Sequence, residues 1–159
     1  MPLRFFDATS GEVVAEANVP VGITHALLLF TPIDRSKNAG SGLRFQIAVL
    51  DDSLARQGPG GLTMINLSGL PLSGKVNHES VSLKPGLNPP LAVGSSARVV
   101  LMTTVKNRTF QSYAGTVALK RNERALLILF PPFYAGGREV QSRLLFDEPS
   151  GTGGVKGRK

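Results

Sequence analysis

Residues 60–86, GGLTMINLSGLPLSGKVNHESVSLKPG, decide how this chain folds. The segment holds a His-Glu pair with metal-ligand chemistry, an Asn-Leu-Ser of glycosylation type and a Lys-Pro-Gly turn. It reads as strands and their punctuation. In LTMINLS (62–68), Leu62, Met64, Ile65 and Leu67 supply apolar contacts, and Pro71 sets φ near the value a turn requires. In ESVSL (79–83), Val81 and Leu83 point one way and Ser80 and Ser82 the other, as in a strand with one wet face. Pro85 and Gly86 make the next turn, and Asn66 is expected to satisfy backbone groups beside the bend at 69–71.

The same pattern extends in both directions. Strands are expected at 2–6, 12–19, 26–31, 43–50, 62–68, 73–77, 79–83, 97–105, 110–119, 124–130 and 140–146. LRFQIAVL (43–50) alternates, with Leu43, Phe45, Ile47 and Val49 on one face. The runs ALLLF and ALLILF hardly alternate, which places both strands centrally, covered on both sides. Only DDSLARQG (51–58) carries helix caps, and it allows little more than one turn. With 18 Gly and 11 Pro, long helices have little room. The expectation is an all-β, antiparallel, immunoglobulin-like β-sandwich of about nine to eleven strands. It forms one domain over 1–149, followed by a disordered basic tail over 150–159.

A faint repeat runs through this pattern. ALLLFTP (26–32), a loop and RFQIAVLDD (44–52) recur as ALLILFPP (125–132), a loop and VQSRLLFDE (140–148). Each unit is an apolar strand halted by proline, a loop, a second strand and an acidic pair, which suits two related hairpins or, equally, a coincidence of the small alphabet that apolar strands share.

At 159 residues, 42% apolar and 18% charged, the chain is long enough to bury a core without staples. The absence of cysteine excludes disulfides, thiol catalysis and thiolate metal sites. No apolar run approaches the ~20 residues of a membrane-spanning helix, so no transmembrane segment is expected. The first residues lack the basic-then-apolar order of a signal peptide, yet Met1 stands directly against strand-like sequence, which fits a removed leader. The location expected is periplasmic or secreted, with the cytoplasm as the alternative.

INLSGLPLSGKV and VSLKPG are similar to the middle of immunoglobulin-like β-sandwich domains of exported bacterial proteins, with a passing similarity to the first domain of periplasmic pilus chaperones. The resemblance covers about 27 residues of the chain and implies a sandwich fold and an envelope location. It implies no chemistry. The chaperones' paired basic anchor residues match no particular positions here.

The net charge of +7 is uneven. Arg98, Lys106, Arg108, Lys120, Arg121 and Arg124 face only Glu123 between 98 and 124, and Lys156, Arg158 and Lys159 sit in the tail. Such charge either draws an anionic partner or keeps strands soluble. For nucleic acid the stretch offers only Phe110 and Tyr113 as stacking platforms. Nucleophilic catalysis would need His25 or His78 beside a serine and an acid, with no local motif behind either, although a hydrolase around His78 remains a distant alternative. His78-Glu79, Asp51-Asp52 and Asp147-Glu148 are read as caps and turns rather than metal ligands, so neither metal nor cofactor is expected.

The leading functional expectation is a non-enzymatic structural or interaction domain of the bacterial envelope, binding a protein or an anionic glycan. An anion or nucleic-acid binder using the 98–124 region is the alternative. The contact residues expected are Phe133, Tyr134 and Arg138 in the loop PPFYAGGRE, and Lys106, Arg108 and Tyr113 around KNRTFQSY.

Overall fold

The computed structural model describes residues 2–34, 40, 42–53, 58–148 and 156–157, and the chain divides into two compact units at residues 56/57. Among the described residues there is no helix, and the protein is all-β. Half of the expected helical turn at 51–58, residues 54–57, and most of the tail lie outside the described residues.

In the first unit, β1 (Pro2–Phe6) pairs antiparallel with β2 (Val13–Asn18), and a bulge falls between Phe5 and Phe6. Asp7 folds the connection: its Oδ1 accepts the backbone N–H of Thr9 (2.8 Å) and Ser10 (3.0 Å), and its Oδ2 accepts from Arg44 at 2.8 Å. These bonds, the backbone ones first, hold the Asp7 carboxyl below its ordinary pKa. β3 (Ala26–Pro32) and β4 (Phe45–Asp51) form an antiparallel hairpin, tied to β2 where Arg44 N–H donates to Val14 C=O at 2.8 Å. Phe30 makes edge-to-face contacts with Phe5 (4.9 Å between centroids) and Phe45 (6.4 Å).

The second unit is a sandwich of two sheets. One has the order β11 (Arg108–Ala118), β10 (Ser96–Val105), β6 (Leu72–Val76), β7 (Glu79–Leu83). The other runs β14 (Lys156–Gly157), β13 (Gln141–Asp147), β12 (Arg124–Phe130), β5 (Gly61–Asn66), with β8 (Gly86–Leu87) and β9 (Leu91–Ala92) along the far side of β5. Leu72, Val76, Val99, Leu101 and Val117 from the first sheet meet Leu62, Met64, Leu127, Leu129 and Phe146 from the second. β10 shows how the sequence dictates this layer. Ala97, Val99, Leu101 and Thr103 are buried, while Ser96, Arg98 and Thr104 are exposed, so every second side chain enters the core.

Gly74 permits β6 to approach β10 as closely as it does: a Cβ there would lie 1.9 Å from the carbonyl oxygen of Val100. Asn66 does what its position predicts, donating to Leu70 C=O (3.1 Å) and accepting from Ser68 Oγ (2.6 Å) and Ser68 N–H (3.2 Å). Asn88 plays the same part at the Lys-Pro-Gly turn, with its side chain bonded to both N–H and C=O of Lys84.

Two expectations need correction. The two apolar runs were expected to be equally central. β12 is buried along its length between β13 and β5, whereas among the described residues β3 pairs with β4 alone and has no fully buried residue, because a two-strand layer gives it one neighbour. The ladders are antiparallel except β5–β12, which is parallel. The chain leaves β5, builds the other sheet and returns to β12, a crossover long enough for parallel pairing. The repeat does correspond to two hairpins, β3–β4 and β12–β13, and in the second its acidic residue works: Arg124, with a side chain only 6% exposed, meets Asp147 at 2.7 Å directly across the ladder.

Candidate functional site

The hairpin tip between β10 and β11 is the two-residue turn Lys106-Asn107, with φ of 48° and 61°. Positive φ at both central residues gives the turn whose twist matches that of the strands it joins. Lys106 and Arg108 are thereby presented to solvent at one end of the sandwich, and neither has an ion-pair partner among the described residues.

The β12–β13 loop stands at the same end. Tyr134 C=O accepts from Gly137 N–H at 3.0 Å, closing a turn in which Gly136 takes φ 79°. That is a type II turn, which needs glycine at this position. At Gly137 a Cβ would sit 2.7 Å from Pro132 Cβ and 3.0 Å from Tyr134 O, so the loop folds tightly onto its own backbone. The consequence is that Phe133 (87% exposed) and Tyr134 (74% exposed) project into water from a constrained turn.

Arg138 joins the two elements. Its guanidinium carbon lies 3.6 Å from the centroid of the Phe110 ring, two residues along β11 from Arg108. Val140 N–H then donates to Ser112 C=O at 3.0 Å. The structure therefore brings Phe133, Tyr134, Arg138, Lys106 and Arg108 to one end of one unit. Spacing alone did not reveal Phe110 as the platform, because cation–π partners 28 positions apart leave no local pattern.

Tyr113 is placed differently from the others. It lies half-buried against the core, leaning over Gly115, with its hydroxyl toward Ser142 on β13. Loss of water around the phenol raises its pKa above the ordinary value. Beneath it, a bulge sets Leu101 opposite Tyr113 and Met102 opposite Gln111, leaving Ser112 unpaired in the ladder. The Oγ atoms of Ser112 and Thr103 are buried and have no hydrogen-bond partner among the described residues.

The remaining basic residues of 98–124 do not share this surface. Arg98 lies on the outer face of β10, Arg124 is buried on Asp147, and Lys120 and Arg121 follow the far end of β11. At a strand rise of ~3.3 Å, the eleven residues of β11 separate Arg108 from Lys120 by roughly 35 Å. His78 is exposed in the β6–β7 turn, and among the described residues it has no hydrogen bond to a serine or carboxylate. Among the described residues no three His, Asp or Glu side chains cluster to hold a metal.

No protein-family model, curated protein or solved structure matches this chain.

Proposed function

We propose that this protein is a non-enzymatic, immunoglobulin-like contact domain of the bacterial cell envelope, periplasmic or secreted. It works through the loop end of its second unit. The observation that carries this reading is the pair Phe133 and Tyr134, held outward by a glycine-fixed turn and backed by Arg138 on Phe110. Large apolar rings exposed to water cost solvation that a partner recovers, and a constrained loop loses little entropy on binding. Lys106, Arg108 and Arg138 against Glu139 give this end a cationic collar, which favours an anionic envelope component over a neutral one.

The test is site-specific photo-crosslinking in bacteria expressing the full chain. A benzophenone amino acid at Tyr134 should form adducts that sediment with the envelope. The same probe at His78, exposed at the opposite end of the sandwich, should not. Equal labelling from both positions, or none from Tyr134, contradicts the proposal.

A further inference from the structure

We infer that the aromatic loop end docks on an anionic lipid surface, with Phe133 and Tyr134 entering the headgroup region and Lys106, Arg108 and Arg138 lying against the phosphates. This rests on the contact role of that end and names its partner. Two observations favour lipid over an acidic polysaccharide or a protein.

The first is the make-up of the tip. From Pro131 to Gly137 the loop is PPFYAGG, without a charged side chain or an amide. A glycan site needs polar side chains to read hydroxyls, and this loop offers only the Tyr134 phenol. A lipid interface asks for apolar bulk with an amphipathic ring at headgroup level, which Phe133 and Tyr134 provide.

The second is the position of the charge. The cations stand behind the tip rather than in it: Arg138 follows the turn and is drawn back onto Phe110, while Lys106 and Arg108 occupy the adjoining hairpin tip. Apolar residues leading and cations trailing is the order met on approaching a bilayer from its interior outward. Glu139 is the one acid in that collar, leaving the end net positive.

The experiment is co-sedimentation of the full chain with vesicles of phosphatidylcholine alone or mixed with phosphatidylglycerol, and separately retention on an acidic polysaccharide matrix. The wild type should bind the phosphatidylglycerol vesicles and not the neutral ones. F133S together with Y134S keeps every charge and should weaken binding by about tenfold or more, the loss of two buried rings. K106A and R108A should each weaken it about fivefold and flatten its salt dependence. Far-ultraviolet spectra confirm that each variant is folded, and F133L, which keeps apolar bulk, should retain most of the binding. Binding unchanged in the F133S/Y134S protein would assign the attraction to charge elsewhere, the C-terminal tail included, and overturn the inference. Retention on polysaccharide without vesicle binding would overturn it too, while leaving the contact role of this end intact. Loss of both would end both readings.

Discussion

Arg138 lies over Phe110, 3.6 Å from guanidinium carbon to ring centroid, and fastens the β12–β13 loop to the edge strand β11. Among the described residues, the backbone ties this loop to β11 through Val140 N–H on Ser112 C=O. An exposed cation–π pair contributes ~0.5–1 kcal/mol. R138A should therefore lower the unfolding free energy by about that much in urea titrations, and R138K by less. A loss of several kcal/mol would mean that Arg138 does more than stack.

Among the described glycines, Gly74 leaves the least room for a Cβ. A Cβ there meets backbone, the Val100 carbonyl, which cannot swing aside as a side chain can. G74A should cost about 3 kcal/mol or more, since overpacking of a well-filled core ordinarily costs ~1–3 kcal/mol. G136A strains a residue at φ 79° but meets no atom, and should cost only about 1 kcal/mol. Chemical denaturation of the two variants checks the order.

Thr103 offers the opposite outcome. Its hydroxyl is buried without a partner among the described residues, and valine has nearly the same shape. T103V removes an unsatisfied donor and should stabilise the protein by about 1 kcal/mol, read as a raised denaturation midpoint. A destabilised T103V would show that the hydroxyl is bonded after all.

The phenol of Tyr113 gives stability a dependence on alkali. Burial raises its folded pKa, so the contribution is complete below the ordinary ~10 and is lost as pH rises through the folded value. Wild type should lose stability relative to Y113F as pH climbs past ~10. At neutral pH, where the phenol is neutral in both states, Y113F should lie within about 1 kcal/mol of wild type.

Much of the fold was legible because strands leave short apolar or alternating runs cut by Gly, Pro and Asn. PLRFF, ESVSL and RALLILF coincide with β1, β7 and β12 to the residue. Asn66 and the Lys-Pro-Gly turn were legible for a related reason, since turn chemistry is local. What escaped was set by distance along the chain. The two-residue strands β8 and β9 have no periodicity to read, and ALLLF looks like ALLILF although one lies in a two-strand layer and the other at the centre of a sheet. Phe133 and Tyr134 stood out because aromatics between prolines and glycines have little to pack against. Tyr113 carried the same residue type on a strand, and only the third dimension shows it turned inward.

This end of the sandwich holds its aromatics out to solvent, and the chain's two tyrosines, without tryptophan, make that measurable. In Y113F the emission of Tyr134 should be quenched by acrylamide nearly as readily as free tyrosine, and by iodide at least as well, because cations surround it. In Y134F the emission of Tyr113 should resist both quenchers. Equal protection of the two rings would mean that Tyr134 is packed and that this end has no contact surface.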